Sequence, residues 1–463
     1  MPADPSEWNE LGVLRPRVMK DDPYDLIVIG SGTAAQIAIA PVREAGWRVA
    51  VVDHQPFGGT CALRGCDPKK MLVSGEEAID AARRMSGHGV EGNLRIDWPA
   101  LMAFKRGFTD PVPAKQEGSY ADRGVAAFHG LASFLDPETI GVGDRQLKAR
   151  NILIATGASP VPLNIPGEEL VITSDDFLEL TELPPRVVFV GGGYIAAEFS
   201  HLAARAGALV TILQRGSRLL PQFDPDVVEW LKPSFQTLGI TVKTGVTVSA
   251  VTSSSEGLIV HAGDKDFVAD LVVHAAGRAP NLEALNLPFG NVAVEHGHIQ
   301  LDTCLRSVSN QRVYAAGDAA GVGPPLTPVS SHDAKVVAAN LLDGSLLRPD
   351  YRGIPSVVFT LPPVAMAGIS EAEARKRNMN FRVNAGSTPD WFTARRLNAP
   401  IYGHKVLIDD DTGLILGAHL VGPGVEETIN LFALAIRHGL TAAALESTMF
   451  AYPTGASDLG SML

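Results

Sequence analysis

Two segments of this chain carry the same pattern of an apolar strand, a glycine-rich turn, a helix of small residues and a second apolar strand. The first runs from Asp25-Leu26-Ile27-Val28-Ile29 through Gly30-Ser31-Gly32-Thr33-Ala34-Ala35 and a helix over 36–45 to a strand, residues 47–52, that ends on Asp53. The second runs from Arg186-Val187-Val188-Phe189-Val190 through Gly191-Gly192-Gly193-Tyr194-Ile195-Ala196-Ala197-Glu198 to Leu209-Val210-Thr211-Ile212-Leu213. Strand, helix, strand at this spacing requires a parallel crossover, so the pattern commits the chain to an α/β fold with two dinucleotide-binding units.

The turn residues carry the chemistry. Gly30 permits the tight turn, Gly32 lets the backbone approach a pyrophosphate, and Ala35 is small enough for close helix packing. The helix N-terminus favours the anion, and Asp53 falls near the offset at which a carboxylate meets a ribose hydroxyl. Gly191 and Gly193 repeat the fingerprint in the second unit, whose strand end differs: Gln214-Arg215, with Arg218 nearby and no acid. A guanidinium suits the 2′-phosphate of NADP, so NADPH is expected there in preference to NADH. The competing reading makes Arg215 and Arg218 ordinary surface charges.

At 463 residues the chain exceeds the length at which one core usually divides, so further domains are expected. Apolar residues make up 46% of it, yet every apolar run is strand-sized and none approaches a membrane span. A net charge of −12 without a Lys/Arg-rich tract argues against a nucleic-acid or anionic-lipid partner. Residues 1–23 are polar and acidic, without the basic-then-apolar order of a secretion signal, and read as a leader. Three cysteines exclude a secreted disulfide framework, and a cytoplasmic protein is expected.

Two of those cysteines follow the second strand of the first unit, in Gly58-Gly59-Thr60-Cys61-Ala62-Leu63-Arg64-Gly65-Cys66-Asp67-Pro68-Lys69-Lys70. Thiols a helical turn apart beside a bound cofactor can form and break one disulfide and so store two electrons. The alternatives are two buried thiols or half a zinc site, but no further Cys or His stands near at metal-ligand spacing. Cys304 has no partner in the sequence and reads as a small buried residue. Between the units, residues 124–134, 139–142 and 146–154 read as strands closed by Ala155-Thr156-Gly157. Residues 270–281 and 312–318, the latter ending in Gly317-Asp318, read as re-entry strands. A change of pattern near Pro349 to Pro355 opens a last stretch, with strands over 357–359 and 413–421 and helices over 371–377 and 426–438.

From about Asp25 onward these motifs, in this order, resemble the pyridine nucleotide-disulfide oxidoreductases of the glutathione reductase, dihydrolipoamide dehydrogenase and mercuric reductase type. The resemblance rests on the cysteine motif, Ala155-Thr156-Gly157, Gly277-Arg278-Ala279-Pro280-Asn281 and Ala316-Gly317-Asp318. It implies two Rossmann-like domains plus a C-terminal α+β dimerisation domain: FAD over 24–157 and 280–348, NAD(P) over 158–279, and the interface over 349–463. FAD would meet Gly30, Gly32, Ala35, Asp53, Gly59, Thr60, Lys70, Thr156, Gly157, Gly317 and Asp318. The nicotinamide nucleotide would meet Gly191, Gly193, Tyr194, Ile195, Arg215, Arg218 and Gly277.

By the same resemblance Cys66 faces the flavin and Cys61 attacks the acceptor. Lys69 sits by the reactive flavin nitrogen with Glu198 as its partner, against the alternative of an ordinary ion pair. Tyr194 covers the nicotinamide pocket, unless it simply packs. Arg64 and Lys70 either add to the field on the thiols or are solvated or paired charges. A homodimer is implied, with active sites across its interface.

Two departures bear on the acceptor. Disulfide-reducing members carry His-Pro-Thr-x-x-Glu near the C-terminus, where this chain has Tyr452-Pro453-Thr454-Gly455-Ala456-Ser457-Asp458, with Asp458 one position beyond the glutamate's place. A tyrosine is a poor base at neutral pH, and His438, on a preceding helix, reads as a capping or surface residue. The arginine that contacts glutathione is also missing from Gln36-Ile37-Ala38-Ile39-Ala40, and the terminal cysteine pair of mercuric reductase is absent. The expectation is an FAD- and NADPH-dependent enzyme passing electrons through Cys61–Cys66 to a small disulfide or thiophilic metal. Direct flavin reduction of a quinone, metal ion or oxygen, and a non-catalytic redox-sensing flavoprotein, are the competing readings.

Overall fold

The computed structural model describes residues 23–463, so the expected leader lies outside the described residues except for Pro23. The first unit is built from β1 (Tyr24–Ile29), α1 (Thr33–Glu44) and β2 (Val49–Asp53), followed by α2 (Gly59–Arg64), α3 (Cys66–Arg84) and α4 (Trp98–Thr109). Four strands follow: β3 (Ala126–His129), β4 (Ala132–Asp136), β5 (Thr139–Val142) and β6 (Arg145–Ile154). The sheet order is β3-β2-β1-β6-β5-β4, and a later strand, β11 (Val313–Ala315), joins β6 in parallel. Central parallel strands are covered on both faces. Leu26, Ile27 and Val28 of β1 accordingly have no exposed surface, alternating between a core with Ala50, Val52 and Ile152 and one with Ala35, Ile39 and Val51. Burying each such Val, Leu or Ile contributes about 1.5–3 kcal/mol.

Three expected boundaries move for local reasons. Helix α1 begins at Thr33 rather than Gln36, because Gly32 is already the N-cap. Strand β2 begins at Val49 rather than Trp47, after the Ala45-Gly46 cap of α1. The single strand expected over 124–134 is two, β3 against β2 and β4 against β5, because Gly130 turns the chain at φ +149°.

The second unit contains β7 (Arg186–Val190), α5 (Tyr194–Arg205), β8 (Leu209–Gln214), α6 (Pro225–Thr237), β9 (Thr241–Thr244) and β10 (Leu271–His274). Its sheet order, β9-β8-β7-β10, is parallel throughout. The helix α7 (Thr327–Asp343) returns the chain across α1 of the first unit. The C-terminal sheet has the order β12 (Ser356–Val358), β13 (Val364–Gly368), β16 (Ile415–Val421), β15 (Gly403–Asp409) and β14 (Phe381–Ser387), antiparallel, with α8 (Val425–His438) on it. Three of its strands, β13 to β15, are beyond what the sequence pattern announced. Strand β15 is buried on both faces over Gly403–Ile408, so it lacks the alternation that marks a strand. His438 is exposed in the last turn of α8, and Cys304 is buried.

Candidate active site

The carboxyl ends of β1, β6 and β11 lie side by side and present Gly30, Ala155-Thr156-Gly157 and Gly317-Asp318, where parallel α/β sheets bind ligands. Gly30, at φ +108°, packs so closely on β6 that a Cβ would stand 2.2 Å from the Ala155 carbonyl oxygen. Gly59, at φ +76°, faces Gly32: a Cβ on it would stand 2.3 Å from the Gly32 Cα. The N-termini of α1 and α2 thus meet glycine on glycine, with Ala35 fully buried behind them and Thr60 exposed in front.

The polar groups of this cradle fit a dinucleotide. The Asp53 carboxylate accepts from the Ser31 backbone N–H at 2.9 Å and its hydroxyl at 2.7 Å, which aims it along the turn and leaves acceptor capacity. Thr156 Oγ1 is buried with no hydrogen-bond partner among the described residues, and burial raises the Asp318 carboxyl. The Gly317 N–H donates to Asp333, whose other oxygen accepts from Tyr351 at 2.8 Å. An orphaned hydroxyl and a desolvated carboxyl at the strand ends are what a bound ribityl and pyrophosphate chain would satisfy. The Lys70 ammonium is 2.7 Å from Glu77 and 4.5 Å from the Phe359 ring centre.

The dithiol sits at the joint of two helices. Cys61 lies in α2, and Gly65 breaks the chain so that Cys66 opens α3, where the helix dipole favours a thiolate. The Thr327 hydroxyl, at the first turn of α7, stands 3.2 Å from both sulfurs. A hydrogen bond from Cys61 is the largest of the influences that bring the Cys66 thiol down to about 6, aided by Thr327 and Lys69 against its burial. The same hydrogen bond, then burial, pushes the Cys61 thiol up. In the reduced pair these influences favour the thiolate on Cys66 over Cys61. Asp67 Oδ1 lies 4.0 Å from the Cys61 sulfur.

Behind Cys66, Lys69 Nζ donates to Glu198 Oε1 at 3.0 Å, and both side chains are largely buried. The backbone N–H of Phe359 donates to the same carboxylate oxygen at 2.8 Å, and the Phe359 ring lies 4.4 Å from the Lys69 ammonium. Glu198 is carried by α5, so the pair ties the second nucleotide unit to the redox helix. Arg64 pairs with Asp175 at 3.4 Å, an ion pair rather than a free charge.

In the second unit Gly191 repeats the close approach of Gly30, here to Ala275, while Gly193 and Gly277 face open space. Tyr194 hydrogen-bonds the Ser356 hydroxyl and meets the Phe223 ring edge-on at 5.4 Å, with Ile195 half-buried beside it. Arg218 donates to the carbonyls of Leu220, Pro221 and Phe223, and so closes its own loop. Arg215 stays exposed at the end of β8.

Tyr452 is 77% exposed and stacks on Phe392 at 6.3 Å. Among the described residues, no hydrogen bond or ring contact joins Tyr452 to the dithiol of its own chain. Asp458 accepts from the Tyr402 hydroxyl at 2.9 Å.

Thr327, Phe359 and Ser356 escaped the sequence reading. Each lies more than a hundred positions from its partner in the site, and only Pro328, a helix-start signal, marked the segment that holds Thr327.

Residues 24–334 match the family model described as pyridine nucleotide-disulphide oxidoreductase, and residues 354–462 match its dimerisation domain. The chain is 33% identical to a glutathione reductase of Burkholderia cepacia, over 95% of this chain and 98% of that one. It is 33% identical to a mercuric reductase of Staphylococcus aureus, over 95% and 82% respectively. The fold superimposes with a TM-score of 0.86 on the HOCl-induced flavoprotein disulfide reductase RclA from Escherichia coli, at 26% identity over 95% of this chain and 99% of that one. A Cu(II) complex of RclA matches equally well, at a TM-score of 0.86 and 28% identity over 95% and 99% of the two chains.

Proposed function

Because the chain belongs to the pyridine nucleotide-disulphide oxidoreductase family, whose members are FAD-dependent and use NAD(P)H, we propose that it is a homodimeric, NADPH-dependent reductase acting through Cys61 and Cys66 on a small disulfide or a thiophilic metal ion. The observation that carries this reading is the dithiol itself: two sulfurs sharing the Thr327 hydroxyl, one lowered to about 6 and the other raised, with the Lys69–Glu198 pair behind them.

FAD, held by the glycine cradle with Asp53, Thr156 and Asp318, would supply two-electron transfer between the nicotinamide and the dithiol. The chain's own residues do the rest. Lys69, fixed by Glu198 and the Phe359 ring, places a positive charge beside Cys66. Cys61, once deprotonated, attacks one sulfur of the acceptor disulfide and expels the first thiolate. Cys66 then attacks Cys61, closes the Cys61–Cys66 disulfide and expels the second thiolate. Overall, NADPH, one proton and the disulfide give NADP⁺ and two thiols. The likeness to RclA in complex with Cu(II), and to mercuric reductases, supports a metal ion among the acceptors. Arg215, exposed at the β8 end where Arg218 is engaged, is the guanidinium this reading assigns to the 2′-phosphate.

Anaerobic NADPH titration of the holoenzyme should produce a thiolate-to-flavin charge-transfer band that is missing from Cys66→Ser. Full turnover by Cys61→Ala with the physiological acceptor would instead favour direct flavin reduction of that acceptor, and a lower KM for NADH than for NADPH would sink the nucleotide assignment.

A further inference from the structure

The cations carried by the dithiol segment, Arg64, Lys69 and Lys70, are each already paired. Arg64 pairs with Asp175 at 3.4 Å, and Arg278 faces the same carboxylate at 3.8 Å. Lys69 is held by Glu198 at 3.0 Å and Lys70 by Glu77 at 2.7 Å. Asp67 is different. It is exposed in the first turn of α3, its Oδ1 lies 4.0 Å from the Cys61 sulfur, and among the described residues it forms no ion pair. Among the described residues, the carboxylate beside the interchange sulfur is therefore not cancelled by a cation. Its electrostatic effect on both thiols is upward, and on Cys66 it is opposed by Lys69.

We propose that Asp67 is a specificity-determining residue that directs Cys61 toward cationic acceptors, a positively charged disulfide or a thiophilic metal cation, and against disulfides that bear carboxylates. The inference rests on the reading of Cys61 as the interchange thiol. During exchange the Cys61 sulfur bonds to one acceptor sulfur while the other leaves as thiolate, so the acceptor's substituents pass within a few ångströms of Asp67. At that separation a unit charge on the acceptor interacts with the carboxylate before bulk solvent screens it. An amine-bearing disulfide is drawn in, and a carboxylate-bearing one is repelled in both encounter and attack. The electron balance is that of the proposed reaction: two electrons leave the dithiol, the Cys61–Cys66 bond forms, and the acceptor S–S bond breaks into two thiols.

Three acceptors of one chemistry and different charge test this: cystamine, 2-hydroxyethyl disulfide and 3,3′-dithiodipropionate, assayed with NADPH on the flavin-loaded dimer. In the wild type kcat/KM should favour cystamine over dithiodipropionate by on the order of tenfold or more at low salt, and added salt should shrink that ratio. Asp67→Asn should bring the ratio to within about threefold of unity, and Asp67→Glu should keep it. The ratio is insensitive to any change in absolute rate that the substitution brings through the thiols. A ratio unchanged in Asp67→Asn, or a wild-type ratio indifferent to salt, overturns the inference while Cys61 remains the interchange thiol. Retained turnover of the neutral disulfide by Cys61→Ala, or no turnover of any of the three by the wild type, overturns the underlying reading and the inference with it.

Discussion

Thr327 shows how much of the chemistry at single residues depends on contacts that the chain makes at long range. Its hydroxyl stands 3.2 Å from each of two sulfurs more than 250 positions earlier and helps to lower both thiols. Replacing it with valine keeps the shape and removes the hydrogen bond, so Cys66 should become harder to ionise. The expected outcome for Thr327→Val is a charge-transfer absorbance whose pH midpoint lies above that of the wild type, measured by anaerobic titration of the reduced enzyme. The cysteines, Lys69 and Glu198 were legible because their motifs fix residue type and spacing locally. Lys70 shares the motif, and its amine pairs with Glu77, the paired-charge reading that the sequence left open.

At the scale of elements, the helices α3 and α5 are joined by a buried charge cluster beneath the Lys69–Glu198 pair. Arg205 reaches Glu76 at 3.4 Å and Asp80 at 2.8 Å, and its guanidinium also stands 3.3 Å from His201 Nδ1. Glu76 has no exposed surface, and one of its oxygens has no partner among the described residues. Burial raises its carboxyl from 4.5 to about 8, with Arg205 opposing and Asp80, Glu198 and Glu77 reinforcing. A folded-state value above the unfolded one means that the folded chain holds the extra proton. Stability is therefore fullest below 4.5 and declines as pH rises through that value toward about 8. Glu76→Gln abolishes this decline. Its thermal midpoint should gain on the wild type as pH goes from about 5 to about 9, and parallel profiles would mean that Glu76 is already ionised in the fold. The helices themselves were readable from their amphipathic spacing and glycine caps. The cluster was not, because charged residues on a helix ordinarily face water.

At the scale of the whole molecule, a buried lysine helps to pin the second nucleotide unit to the C-terminal sheet. Lys405, in β15, is 3% exposed and pairs with Asp224 at 3.1 Å, Asp226 at 2.7 Å and Glu371 at 2.6 Å. Asp224 and Asp226 lie at the start of α6, and Asp224 is itself almost fully buried. Lys405→Met should cost about 3–5 kcal/mol, because it leaves the Asp224 charge buried without its cation. Thermal unfolding followed by circular dichroism checks this, and a loss under about 1 kcal/mol would mean that water or a shifted partner replaces the ammonium. Tyr452, exposed on its own chain, lies within the segment that matches the dimerisation domain.

The sequence by itself determined the two strand-turn-helix units, the dithiol motif and the family. These rest on local rules: glycine where φ is positive or backbones touch, small residues where helices pack, and cysteines at fixed spacing. Tertiary structure decided which charges of the dithiol segment are cancelled, which hydroxyl joins the sulfurs, and that Asp67 is left without a cation among the described residues. Those outcomes depend on partners brought together from distant segments, and on burial that changes what a charge or a proton costs.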